Sequence, residues 1–329
     1  MSDIKQVSRR KFIGYGAAAA ATSIIPGCAA TTTALQSAGV VAPKGLITRN
    51  IPGTDEFLPA VGIGAPNMFY KHPPEGKANG LEVLKELRKH GGKMIDTPPF
   101  FRPDPPVVGE LLTELGANDD MFLITKIPVF VEGREASLKH LTTAVNNLNK
   151  SGPMDLVMSH NMGDIDSHWP LLREWQDAGK IRYTGVSYVN LPDYSPLINF
   201  MKTERPDFIM IGYSILVNDL EEDVLPLAED LGIATIVASP FASPAKGGRG
   251  QGGVFKLTAN TELPEWAAEY DITTWAQFAL KYAVSHPSVT STLMETSKVS
   301  RVAENMGAAY GPLPGAAGRR KMRDFITSI

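Results

Sequence analysis

Three short apolar runs of this 329-residue chain close on side chains that can hold or move a proton. Met94-Ile95 ends in Asp96, Leu123-Ile124-Thr125 ends in Lys126, and Leu156-Val157-Met158-Ser159 leads to His160. A carboxylate, an ammonium and an imidazole delivered to one place can hold and exchange protons. Each also has an ordinary structural explanation: Asp96 as a loop cap, Lys126 reaching solvent, His160 satisfied in a core. Coincidence at three successive run ends favours a shared site. Composition narrows the chemistry further. With 32 basic and 35 acidic residues the net charge is −3, which lacks the basic excess of a nucleic-acid binder, and 43% hydrophobic content excludes a disordered chain. The single cysteine, Cys28, cannot form an internal disulfide, and no Cys/His spacing suits zinc, so no metal site is expected.

These residues need elements that point them at one another. From about residue 46, β-branched and apolar runs alternate with amphipathic stretches, the pattern of parallel strands joined by crossover helices. The strand candidates are residues 60–63, 94–97, 122–126, 155–159, 183–187, 208–213, 234–238 and 291–294. Between them, apolar residues recur at helical spacing, as in Leu81, Val83, Leu84 and Leu87, in Leu138, Leu141, Val145 and Leu148, and in Val224, Leu225, Leu227, Ala228 and Leu231. Gly116, Gly179 and Gly232 fall where helices should end. Eight such repeats imply a closed (β/α)8 TIM barrel, an α/β fold whose chemistry sits at the C-terminal strand ends. A doubly wound sheet is the alternative, but no strand is followed by the G-x-G-x-x-G turn. Residues 47–58, centred on Pro52-Gly53-Thr54-Asp55, read as a β-hairpin plug at the barrel's N-terminal end. The glycine-rich stretch 247–253 reads as a mobile loop with no helix immediately behind it.

The N-terminus reads as an address and not as fold. Ser8-Arg9-Arg10-Lys11-Phe12-Ile13 resembles the twin-arginine export motif, and the apolar run that follows is too short and weak to span a bilayer. It closes on Ile25-Pro26-Gly27-Cys28, similar to a bacterial lipobox whose thiol takes a diacylglycerol, although Pro26 is unusual there; the alternative is ordinary cleavage with Cys28 incidental. Residues 1–28 are therefore expected to be a signal, 29–45 a flexible tether and 46–329 the barrel. Export would engage the twin-arginine translocase and leave the protein in the periplasm or on a membrane's outer face, anchored through Cys28.

The segments Met94-Ile95-Asp96-Thr97, Leu123-Ile124-Thr125-Lys126, Met154-Asp155-Leu156 leading to His160, Gly179-Lys180-Ile181-Arg182-Tyr183-Thr184-Gly185-Val186-Ser187 and Arg301-Val302-Ala303-Glu304-Asn305 run in the order of the aldo-keto reductase family, which the chain resembles from about residue 47 onward. The resemblance implies hydride transfer between NAD or NADP and a carbonyl or alcohol, without metal. It implies that Asp96 pairs with Lys126, that Lys126 lowers the pKa of a proton-donating tyrosine, and that His160 orients the carbonyl. It places cofactor contacts at Ser187, Ser239, Ser297, Arg301 and Asn305.

The tyrosine, however, is replaced: five residues after Asp96 stands Phe101, which has no proton to give. Losing a positioned general acid costs about 10²–10⁴-fold in rate. The Ser-Asn pair that holds the carboxamide is Ser187-Tyr188, the strand-six glutamine is Met210, and the ring-stacking tyrosine aligns with Ala238. Glu295 occupies the position that often carries a lysine for the 2′-phosphate, favouring NAD. As substitute acids, His160 as an imidazolium held near Asp96 ranks above Tyr188. Phe69, Tyr70 and Trp169 could wall an apolar pocket or simply pack on the barrel. Three functions follow: an exported NAD(P)H-dependent oxidoreductase of a small carbonyl substrate, a non-catalytic binding protein on the same scaffold, or lyase or isomerase chemistry using Lys126 and His160.

Overall fold

Runs of β-branched and apolar residues too short for a helix, bounded by glycine, proline and polar turns, form strands, and eight of them close here into a barrel. The computed structural model describes residues 43–64, 74–97, 107–189, 191–245, 248–250 and 252–329. Strands β1 (Thr48–Asn50) and β2 (Phe57–Pro59) pair antiparallel as the expected hairpin. The barrel strands are β3 (Val61–Gly64), β4 (Met94–Asp96), β5 (Phe122–Ile127), β6 (Met154–Ser159), β7 (Ile181–Tyr188), β8 (Phe208–Gly212), β9 (Ala234–Ala238) and, after a short ribbon of β10 (Ser243–Ala245) and β11 (Gly248–Gly250), β12 (Ser291–Met294). Every barrel pair is parallel, and β12 closes the ring between β9 and β3.

Crossover helices α1 (Pro74–Lys89), α2 (Val108–Glu114), α3 (Arg134–Asn146), α4 (Ile165–Asp177), α5 (Ser195–Glu204) and α6 (Val224–Leu231) follow β3 to β8 in turn. The short α7 (Gly253–Leu257) and α8 (Trp275–Val284) follow β9, and α9 (Val299–Met306) and α10 (Ala316–Thr327) follow β12. Gly116, Gly179 and Gly232 adopt φ of 60°, 69° and 66° at the ends of α2, α4 and α6, the left-handed turn that glycine makes without cost.

Two expectations need correcting. The glycine-rich stretch is not a structureless loop: β10 and β11 pair antiparallel and α7 begins at Gly253, directly behind them. A Cβ on Gly253 would lie 2.1 Å from the Ser243 side chain, so glycine serves close packing there and not mobility. The buried face of α3 runs through Ser137, Leu141 and Ala144, whereas Leu138, read as part of that face, is 40% exposed. The apolar spacing was satisfied by either phase, and contact with β5 and α4 selected one.

Strand alternation sorts the core into two layers. Met94, Phe122, Ile124, Leu156, Met158, Phe208, Met210, Ala234, Ile236 and Leu293 fill the barrel, joined from below by Ile51 and Leu58 of the hairpin. Ile95, Leu123, Val157, Val186, Ile209, Ile211, Val237 and Met294 point outward into the helical layer. The hairpin is also pinned by charge. Glu56 accepts from Arg182 and from Tyr183 Oη at 2.8 Å, and Arg182 reaches on to Asp155 at 2.7 Å. Asp155, buried, further accepts from the Leu123 N–H at 2.9 Å and pairs with Lys150 at 3.0 Å.

Candidate active site

The alternation that fills the barrel also decides which residues its strands deliver inward as they end. Asp96 follows Met94 by two, Lys126 follows Ile124, His160 follows Met158, Ser187 follows Gly185 and Glu295 follows Leu293, so all five continue inward-facing rows. Lys126 Nζ donates to Asp96 Oδ1, with side chains only 5% and 15% exposed. The next residue, Thr97, anchors this turn by donating its hydroxyl to the Ile124 carbonyl at 2.7 Å.

Burial sets the protonation around this pair. It pushes the Asp96 carboxyl up, opposed by the Lys126 ammonium. Burial, aided by that ammonium, pushes His160 down to about 4. The imidazole is therefore neutral near pH 7, which corrects the expectation of an imidazolium acid. Glu295 is exposed at the rim; partial desolvation and the Asp96 charge raise it, which puts it in electrostatic reach of the pair. Its alternation with Leu293 is the signal in the sequence for an inward position.

A second residue went unread. Asn161 opens the 3-10 turn behind His160 in a left-handed conformation, φ 50°, which asparagine tolerates better than most residues. Its N–H donates to Ser187 Oγ at 2.9 Å and its Oδ1 accepts from the Val189 N–H at 2.9 Å. The exits of β6 and β7 are thereby locked together.

Tyr188 does not supply a phenol to this mouth. One position out of phase with Ser187, it packs in the outer layer 6.3 Å from Tyr194, donates to the Asp193 carbonyl at 2.7 Å, and is pushed up by burial. Trp169 also lies in the outer layer, on α4, stacked edge-on to Phe200 at 4.9 Å with Nε1 donating to Glu204 at 2.8 Å. It packs helix against helix.

The remaining candidates lie around the rim. Ser239, φ 55°, follows β9 directly and its carbonyl accepts from the Ala242 N–H at 3.0 Å. Ser297 is exposed between β12 and α9, its carbonyl bonded by Asn79 at 2.6 Å. Arg301 is exposed in the first turn of α9 beside exposed Lys298, whereas Asn305 is buried near that helix's end. A helix N-terminus flanked by two exposed cations suits a phosphate, and Ser187 is a buried hydroxyl facing the barrel interior. Met210 and Ala238 make the other interior contacts apolar. The residues present thus fit a dinucleotide at its phosphate end and at one hydroxyl near its ring end. Among the described residues no group of three His, Cys, Asp or Glu could hold a metal. Phe101, Phe69, Tyr70 and Cys28 lie outside the described residues.

A family model described as the aldo/keto reductase family matches residues 60–315. The chain is 22% identical over 277 residues to L-galactose dehydrogenase of Arabidopsis thaliana, covering 79% of this chain and 87% of that protein. It is 24% identical over 255 residues to methylglyoxal reductase YeaE of Escherichia coli, covering 76% and 85%. An aldo-keto reductase from Klebsiella pneumoniae solved in complex with NADPH superposes with a TM-score of 0.66 at 20% identity, over 86% of this chain and 95% of that one.

Proposed function

The chain belongs to the aldo/keto reductase family, and on that premise we propose that it is an exported, NAD(P)-dependent oxidoreductase that reduces a small carbonyl compound slowly, without a catalytic tyrosine. The observation that carries this reading is the Asp96–Lys126 ion pair, nearly buried at the barrel mouth beside a neutral His160.

A nicotinamide, when bound, supplies the hydride. Lys298 and Arg301 at the start of α9 would hold its phosphates, and the Ser187 hydroxyl would hold its carboxamide. A Glu295 carboxylate at the rim supports NAD(H) over NADP(H). The carbonyl oxygen is held by Lys126, whose ammonium donates a hydrogen bond and gives up a proton as negative charge develops there. Asp96 keeps that ammonium in place. His160, neutral, contributes one N–H hydrogen bond and no charge. The ion pair disfavours Lys126 as the nucleophile or base that lyase or isomerase chemistry would need, because an ammonium engaged by Asp96 has no lone pair to attack a carbonyl or take a proton.

A second reading, a non-catalytic binding protein, is favoured by Phe101 together with the neutral His160, neither of which is a ready acid near pH 7. The test is thermal-shift titration of the exported protein with NADH and NADPH, followed by cofactor oxidation with a panel of aldehydes. Stabilisation by NADH and slow turnover are expected, and Phe101→Tyr should raise the rate at least about tenfold. Absence of any cofactor effect removes the oxidoreductase reading. Cofactor binding without turnover in either protein establishes the binding one.

A further inference from the structure

A cleft of about 510 Å³ opens between the C-terminal end of α8, the start of α10 and the 3-10 turn Asp219–Glu221. It shares no residue with the barrel mouth. Its floor is a closed polar network. Glu221 Oε1 accepts from Tyr213 Oη and Tyr282 Oη, each at 2.6 Å, and from Arg319 Nη2 at 2.5 Å. Arg319 is buried, lies 4.2 Å above the Tyr282 ring and donates to the Tyr282 carbonyl. One carboxylate is thus matched by one buried guanidinium.

The rim carries more positive charge than that one carboxylate matches. Arg323 Nη1 forms a long ion pair with Glu221 Oε2 at 3.6 Å, beyond hydrogen-bond reach, and Arg320 makes no ion pair or hydrogen bond among the described residues. The two arginines are three apart on one helix, where like charges repel. Gly315 and Ala316, the N-terminal end of the twelve-residue α10, line the same cleft and bring the positive end of its dipole. His286 completes the wall. Burial and Arg319 push it below its ordinary value, so it adds a neutral ring.

We propose that this cleft binds a small phosphate ester through Arg320, Arg323 and the N-terminal backbone of α10. Three guanidinium groups, Arg319, Arg320 and Arg323, face the single Glu221 carboxylate, and the forks of Arg320 and of the loosely paired Arg323 match the paired oxygens of a dianionic phosphate. The volume exceeds what bare phosphate fills, which leaves room for an organic group.

Calorimetric titration of the full chain with inorganic phosphate and with phenyl phosphate, at ionic strength held constant with sodium chloride, tests this. Saturable binding is expected, tighter for the ester, and weakened at least about tenfold by Arg320→Gln combined with Arg323→Gln. Arg320→Gln alone, at an exposed residue with no partner, should weaken binding while leaving the fold intact, which covers the case of an unstable double variant. Because a phosphate could also settle at the start of α9, Lys298→Gln combined with Arg301→Gln is the control and should leave binding unchanged. No saturable binding, equal binding by the Arg320 variants, or loss of binding in the control variant would each overturn the proposal. The outcome does not depend on whether a nicotinamide binds at the mouth.

Discussion

Asp96 and His160 flank the same cation, and burial moves their titrations in opposite directions because it penalises whichever form is charged. For His160 the consequence is measurable. An unfolded histidine takes up its proton near pH 6.5, whereas the folded one holds off to about 4. Its contribution is therefore fully present above pH 6.5 and is lost as the pH falls toward 4, since only the unfolded chain gains the proton in that window. The loss amounts to up to about 3 kcal/mol. Burial lowers His140, His168 and His286 as well, so the informative quantity is a difference between two proteins. Urea unfolding at pH 7 and pH 4.5 should show wild type losing more stability than His160→Gln. Equal losses would mean that this imidazole titrates normally, which would return it to the list of candidate acids at the mouth.

Among the elements, the seam formed by β5 to β8 bears the tightest constraints. A Cβ on Gly185 would sit 2.5 Å from the Phe208 carbonyl oxygen of the adjacent strand. Gly185→Ala must therefore push β7 away from β8, at a cost of about 1–3 kcal/mol. Asp155 ties β5, β6 and β7 together and reaches the hairpin through Arg182 and Glu56. Removing it leaves the nearly buried Lys150 without its carboxylate, and Asp155→Ala should cost about 3–5 kcal/mol. Glu56→Gln, at the half-exposed end of the same chain of contacts, should cost about 1 kcal/mol or less. Urea midpoints should rank the three variants in that sense; a Glu56 variant as damaged as the Asp155 one would show that the hairpin, and not the strand seam, holds the network.

At the scale of the whole molecule, a barrel closed by β12 against β3 has no free sheet edge, and no described helix is long and apolar enough to cross a membrane. On the proposed N-terminal reading, membrane attachment comes from a lipid on Cys28. Replacing Arg9 and Arg10 with lysine should retain the protein in the cytoplasm, while Cys28→Ala should be exported but recovered in the soluble fraction after cell fractionation. A Cys28→Ala protein that still pellets with membranes would remove the lipid anchor from this account.

The strand and helix alternation, the left-handed glycines Gly116, Gly179 and Gly232, the hairpin and the strand-end positions of Asp96, Lys126 and His160 were all legible in the amino-acid order, because periodicity and turn chemistry are local properties of a chain. Boundaries shifted by a residue or two, and the phase of α3 was ambiguous, because several frames placed apolar residues on one face. Other features had no local signature. That Ser187 faces inward while Tyr188 is turned to the helices depends on where β7 registers against β6 and β8. Trp169 joined α4 to α5, and the glycine-rich stretch became a ribbon, through contacts distant in sequence. The neutrality of His160 and the raised Asp96 follow from burial beside Lys126, and the positive excess on α10 follows from Glu221 being shared between Arg319 and Arg323. Residue types were written in the sequence, but charge state and partner were decided only by the solvent exclusion and proximity that folding creates.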